Sequence, residues 1–286
     1  MEYESHVLII DGQNFLHRAR SGFNLGDHSV VFNFFRNLRS QIELHQPTKV
    51  FFCLEGHPKK RYELFPDYKA NRKIDFNSSD PDVMKKAKEM KKFFAQADIV
   101  IEMLKKHMPI SVARHDDFEC DDVIYNLIKN DTTRTPTTVV SNDSDFTQLL
   151  NEFQHVKIYN PMKKTYVETP AYDYVFWKAL RGDGSDNIPG LPGFTDKKAE
   201  KVALVKDKIS LQEVFNDEKL LNAFMRNSDL IKFHTWSEDE TSQMTISSPT
   251  KDWSWIANKF EEYKFQSLLK EPTWTKFIET FDHLFG

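Results

Sequence analysis

Short apolar runs alternate, along the first half of the chain, with longer stretches in which apolar residues return every three or four positions. His6 to Ile10, Val50 to Leu54, Ile110 to Ala113 and Thr138 to Val140 read as buried strands, since brief continuous apolar segments suit strands covered on both faces. Residues 30–44, 83–107, 121–129 and 145–151 carry the helical period between them. This alternation predicts an α/β fold in which a parallel sheet is flanked by helices. In such sheets ligands bind beyond the carboxyl ends of the strands, and Asp11, Glu55 and Asp143 all fall there.

Residues 57–81 lack strong apolar periodicity and contain Pro58, Pro66 and Pro81, which predicts an extended connection leading into a basic helix. Lys157 to Tyr159 reads as a last strand or hairpin arm, followed by a helix over 172–181, a turn at Gly190-Leu191-Pro192-Gly193 and a helix from Asp196. The last hundred residues read as helical. Trp253, Trp255, Trp274, Phe277, Phe281 and Phe285 sit there at helical spacing, as core residues in preference to base-stacking ones. No internal repeat or low-complexity tract interrupts the pattern.

With 286 residues, 40% of them hydrophobic, the chain can bury one large α/β core with a smaller appendage. No run of 18 apolar residues occurs and the start leads straight into a strand, so a soluble protein of the cytoplasm, without a membrane partner, is expected. Cys53 and Cys120 are too few for a disulfide framework or a zinc ribbon. The net charge of -4 argues against nucleic acid until it is resolved by position. Between His57 and Lys92 there are eleven Lys and Arg against six Asp and Glu, a local surplus of +5.

The acidic residues cluster at element ends: Asp11, Glu55, Glu119, Asp121, Asp122, Asp143, Asp145, Asp183 and Asp186. Singly, each has an ordinary use. Asp11 and Asp145 suit helix caps, and Asp122 suits the positive end of a helix dipole. Together in one cleft they would repel strongly unless cations neutralised them. Oxygen donors without Cys or His favour the hard ions Mg²⁺ or Mn²⁺, and two such ions about 3.5–4 Å apart can activate a water and stabilise the leaving oxygen of a phosphodiester.

In order, these motifs resemble the 5′ nuclease family that includes bacteriophage flap endonucleases and the nuclease domain of bacterial DNA polymerase I. The most specific string is Gly182-Asp183-Gly184-Ser185-Asp186-Asn187-Ile188-Pro189-Gly190-Leu191-Pro192-Gly193, and Asp11-Gly12-Gln13-Asn14, Tyr68-Lys69-Ala70-Asn71-Arg72, Glu119-Cys120-Asp121-Asp122 and Asp143-Ser144-Asp145 accompany it. The resemblance covers positions 11 to about 200. It implies a PIN-like, resolvase-like nuclease domain over residues 1–168 with a helical arch at about 57–107. A helical duplex-binding subdomain with a helix-three-turn-helix unit is implied over 169–286.

Carried over by position, the resemblance makes Asp11, Glu119, Asp121, Asp143, Asp145, Asp183 and Asp186 metal ligands. Glu55 stands where the family usually has Asp, and can offer the same oxygens from one methylene further out. Lys69 and Arg72 match the basic pair facing the scissile phosphate, against the alternative of ordinary solvated charges. Arg18 is a candidate phosphate contact, and Lys85, Lys86, Lys88, Lys91 and Lys92 form either a single-strand guide or a solvated helix face. Gly190, Gly193, Lys197 and Lys198 fall in the implied duplex-binding turn. Thr195 replaces its second glycine and cannot easily take a positive φ, so the turn is expected either to be reshaped or to tolerate a different angle, and a K⁺ ion there is less expected.

The function expected is two-metal 5′-3′ exonuclease or flap endonuclease cleavage of DNA ends and flaps in replication or repair. The chain would act as a monomer, freestanding from any separate polymerase, in a bacterial or phage-infected cytoplasm. An RNA-primer-removing ribonuclease acting on RNA-DNA hybrids, and a catalytically silent junction-binding protein, are the alternatives.

Overall fold

The computed structural model describes residues 5–24, 26–208, 210–215 and 217–285. Seven strands form one sheet: β1 (Val7–Asp11), β2 (Lys49–Leu54), β3 (Ser111–Arg114), β4 (Thr137–Val140), β5 (Val156–Asn160), β6 (Thr165–Tyr166) and β7 (Thr245–Ile246), in the order β6-β5-β4-β1-β2-β3-β7. The five inner strands run parallel, and the two-residue strands β6 and β7 close the edges antiparallel. The chain moves outward from β1 through β2 to β3, then crosses to β4 on the other side of β1. The crevice beyond β1 and β4 is therefore the switch point where α/β sheets bind ligands.

Helices cover both faces. In the first half of the chain they are α1 (Gly12–Arg20), α2 (Ser29–His45), α3 (Lys59–Leu64), α4 (Pro81–His107), α5 (Cys120–Lys129) and α6 (Thr147–Glu152). In the second half follow α7 (Tyr174–Arg181), α8 (Asp196–Ala203), α9 (Leu211–Val214), α10 (Glu218–Ile231), α11 (Glu238–Ser242), α12 (Trp253–Glu262), α13 (Gln266–Leu269) and α14 (Thr273–Asp282).

Because strand side chains alternate, Leu8, Ile10, Val50, Phe52 and Leu54 face α1, α2 and α4, while Ile9, Cys53, Ala113 and Val139 face α5 and α6. The second face also receives Phe233 and Trp236 from the chain beyond α10.

Helix boundaries follow local chemistry. α4 starts at Asp80, whose carboxylate accepts the Asp82 and Val83 amides, with Pro81 at the first helical position, and it ends in Lys105, Lys106 and His107 at the negative end of its dipole. Lys85, Lys86, Lys88, Lys91 and Lys92 all lie exposed on α4, with Ala87 and Phe93 turned inward. α2 buries Val30, Phe34, Leu38 and Ile42 at four-residue spacing and stops where Gln46 turns left-handed at φ 46°.

Two expectations need correction. The stretch 57–81 is not wholly extended: α3 and a 3₁₀ turn at Ala70–Arg72 lie within it. Arg61 on α3 is buried against acidic partners, an anchor that apolar periodicity does not register. Nor are the last hundred residues purely helical, because β7 pairs with β3.

A separate apolar core is built from Tyr68, Ala179, Leu180, Ile188, Leu191, Ala199, Phe215, Phe224, Leu230 and Ile231. Residues 253–284 instead rejoin the sheet, with Ile256, Phe260, Phe277 and Phe281 in the same core as Phe35 and Phe52. Phe35 meets Phe260 edge-on at 5.4 Å between centroids. Trp253, Trp255 and Trp274 pack half-buried against this core; the Phe285 side chain lies outside the described residues. No helix among the described residues is long and apolar enough to cross a membrane.

Candidate active site

Two adjoining cavities open at the carboxyl ends of the strands, of 390 Å³ and 270 Å³, with Lys69, Arg72, Asp121 and Asp143 in the walls of both. The first brings together Asp11, Glu55, Asp121 and Asp143. Asp11 ends β1, caps α1 by accepting the Asn14 amide at 3.1 Å, and accepts the Ser141 hydroxyl at 2.7 Å across the switch point. Glu55 follows β2 directly and accepts the Cys120 amide at 3.0 Å, so the longer side chain does reach the cleft. Asp121 enters from the first turn of α5, and Asp143 from the loop after β4, where it accepts the Asp145 amide at 2.9 Å.

Electrostatics distinguishes this group from ordinary caps. Burial raises the Asp11 carboxyl to about 6 and, with the repulsion of Glu119, the Glu55 carboxyl to about 7. Asp121 is pushed well above the usual carboxylate range by burial and by Asp143, Asp11 and Glu55. With Asp11, Glu55 and Asp121 all raised and Asp143 beside them, these carboxylates are a donor set short of positive charge.

The second cavity holds Asp145, Asp183 and Asp186, and here the charge is already balanced. Lys178, itself buried, reaches Asp145 and lies 2.6 Å from Asp183. Its charge and hydrogen bond overcome burial and draw Asp183 down to about 2. Burial raises Asp186 although Lys69 and Arg72 oppose it, and Arg72 hydrogen-bonds that carboxylate directly. Glu119 lies deeper, held by Lys69, by Arg61 at 2.8 Å and by the Tyr68 hydroxyl at 2.9 Å. Burial would raise Glu119, but Arg61 and Lys69 hold it below the ordinary range.

Among the described residues no group of three or more His, Cys, Asp and Glu side chains is already arranged to hold a metal ion. The physical reason lies in the same contacts: basic side chains draw oxygens of the second group toward themselves, and the first group's carboxylates repel one another across open space. The donor set of oxygens alone, with unmet negative charge, fits a hard divalent ion.

Residues 6–176 match the family described as 5′-3′ exonuclease, N-terminal resolvase-like domain. The chain belongs to this 5′-3′ exonuclease family. It is 29% identical over 239 residues to a 5′-3′ exonuclease of Bacillus subtilis, covering 75% of this chain and 74% of that one. With a 5′-3′ exonuclease of Aquifex aeolicus it shares 28% identity over 93% of this chain and 94% of the relative. A Lactococcus lactis DNA polymerase I is 28% identical over 81% of this chain, but only 27% of the polymerase is covered. In three dimensions the fold is similar to a flap endonuclease of bacteriophage T5 complexed with DNA and metal ions. There the TM-score is 0.66 and the identity 18%, over 83% of this chain and 93% of that one.

Within this family member, the structure brings seven of the acidic candidates, Lys69 and Arg72 to the two adjoining cavities, with Glu119 buried deeper against Lys69 and Arg61. Arg18 lines the first cavity, with Nη1 buried and, among the described residues, without a hydrogen-bond partner. Gly190 and Gly193 lie apart, exposed in the turn before α8, and Lys197 and Lys198 are exposed in the first turn of that helix. At that turn the second outcome expected for Thr195, a different angle, is the one observed. Thr195 takes no positive φ: it is the N-cap of α8 at φ -78°, its hydroxyl accepting the Lys198 amide at 3.4 Å, while Gly193 takes φ +80°.

Sequence reasoning missed four residues. Lys178 gives a readable signal, a charge on the apolar stripe of α7 beside Tyr174. Tyr174 itself donates to Asp145 at 2.8 Å. Tyr68 also donates to Asp186 at 3.2 Å. Arg61 was hidden in a basic run, yet it forks onto Asp122, explaining that residue, and donates to the Leu230 and Lys232 carbonyls.

Proposed function

We propose that the chain is a divalent-metal-dependent 5′ nuclease that cuts DNA phosphodiesters at 5′ ends and flaps, where single strand meets duplex. The observation that carries this reading is the set Asp11, Glu55, Asp121 and Asp143, gathered at the switch point with unmet negative charge. These four would hold one ion, and Asp145, Asp183 and Asp186 a second, once Lys178 and Arg72 yield their oxygens. When bound, Mg²⁺ or Mn²⁺ would supply Lewis acidity to the phosphodiester and the attacking water.

The chain's own residues do the rest. Lys69 and Arg72, shared by both cavities, neutralise charge growing on the phosphate oxygens. The buried Nη1 of Arg18 holds a neighbouring phosphate. The α8 N-terminus, with Lys197 and Lys198 exposed beside it, grips the duplex backbone, and a K⁺ ion at the turn from Gly190 to Thr195 belongs to the same proposal. Exposed lysines on α4 attract single strand. The protein would act as a monomer on DNA, with a DNA polymerase as a proposed partner.

A labelled 5′-flap duplex tests this beside blunt, nicked and RNA-primed substrates. Cleavage in Mg²⁺ or Mn²⁺, none in EDTA, and none by an Asp143→Ala variant that still binds is the expected result. Binding without cleavage in both metals would make the chain a silent junction-binding protein, and cutting confined to the RNA-primed substrate would make it a primer-removing ribonuclease.

A further inference from the structure

The smaller cavity has one wall made by α7, and that wall carries Trp177 immediately before the buried Lys178. Trp177 is half-buried. Its ring meets those of Tyr172 and Tyr174 at 5.6 Å between centroids in each case, and the Arg181 guanidinium, one helical turn on, stands 5.0 Å over it. Arg181 is in turn fixed by Asp196, the first residue of α8, at 2.6 Å. An aromatic ledge therefore runs from the carboxylates toward the turn at Gly190–Gly193. The helical module's buried core passes behind it, through Ala179, Leu180 and Ile188, and Trp177 packs half-buried against that core while also lining the cavity.

A phosphate that descends to Asp145, Asp183 and Asp186 draws its nucleotide away from the neighbouring bases, so that base loses a stacking partner. An aromatic face beside the phosphate restores it with little regard to sequence, and a cation over the ring strengthens the contact. We propose that Trp177 is a stacking platform for an unpaired nucleobase next to the scissile phosphate, on the side facing the Gly190–Gly193 turn, with Arg181 holding the ring in place. This rests on the nuclease reading above and adds a base-binding subsite to it.

The test uses the full chain on 5′-flap duplexes in which one abasic nucleotide is moved stepwise along the cleaved strand across the cutting point. The wild type is expected to lose about ten-fold in kcat/KM when the missing base is the one the platform holds, within the range of one base–aromatic stack. Trp177→Ala should lose about as much on the intact flap and be indifferent to that abasic position, while Trp177→Phe retains part of both effects. Thermal unfolding of each variant separates this from misfolding, and Trp177→Phe carries the test if Trp177→Ala unfolds. A Trp177→Ala protein that keeps the full rate, or that slows but still shows the full abasic penalty, overturns the platform while leaving the nuclease intact. A wild type that cuts none of the substrates overturns the nuclease reading and the platform with it.

Discussion

Arg61 is 3% exposed, and its guanidinium meets Glu119, Asp122 and two carbonyls at the end of α10, those of Leu230 and Lys232. Such a fork suits arginine and no other side chain. Removing it leaves the buried Asp122 without its cation and Glu119 with Lys69 alone, and a buried pair broken on one side costs about 3–5 kcal/mol. Arg61→Ala is accordingly expected to lower unfolding free energy in urea by that amount, with Arg61→Lys recovering part. A loss under about 1 kcal/mol would show that the fork is not needed for stability. Arg61 was not legible as a site residue, because its partners come from other elements and no local pattern marks the meeting, whereas Lys178 carried the signal of a charge on an apolar helix stripe. The carboxylates were legible for the opposite reason: each stands where a strand ends or a helix begins, and those boundaries can be read locally.

At the level of elements, the loop from Gly182 to Pro189 shows how sequence sets a site. Gly182 takes φ +79°, and a Cβ there would fall 2.3 Å from the Gly190 amide nitrogen. Asp183 and Ile188 exchange backbone hydrogen bonds of 2.9 and 2.8 Å across the loop, which aims Asp183 and Asp186 into the cleft. Gly182→Ala should cost about 1–3 kcal/mol in backbone strain and abolish cleavage, whereas Gly184→Ala, with open space around its Cβ, should leave both unchanged. Equal effects at the two positions, read by unfolding and flap cleavage, would contradict this.

Long periodic elements such as α2 and α4 were legible in the sequence, and short ones were not. α3 and β7 have too few residues to show a period. At Thr195 the sequence left two outcomes open, because a missing glycine reshapes a turn only when the position needs positive φ, and here an N-cap does not.

Across the whole molecule, the cleft couples stability to metal and pH. Asp11 and Glu55, raised to about 6 and 7, bind protons in the folded state that the unfolded chain has released. Their contribution to metal-free stability therefore falls as pH rises from about 4 to 7. His45, depressed to about 4 by burial, acts in the opposite sense, its contribution falling as pH drops below about 6.5. Comparing Mg²⁺ with EDTA at each pH removes the histidine contribution. The Tm increment from Mg²⁺ should grow between pH 6 and 8, since ions compete with protons for the same oxygens. An increment that is absent, or that shrinks over this range, would contradict the account.

The packing of α12 to α14 on the sheet was not legible at this scale. Their amphipathic patterns declare a buried face, as Phe277 and Phe281 show, but not which surface receives it.

The central claim is that these carboxylates hold divalent ions, and anomalous scattering from a Mn²⁺-soaked crystal tests it most directly. The account predicts a peak among Asp11, Glu55, Asp121 and Asp143, and a second near Asp145, Asp183 and Asp186 with Lys178 moved aside. An empty cleft at a Mn²⁺ concentration that supports cleavage would contradict it.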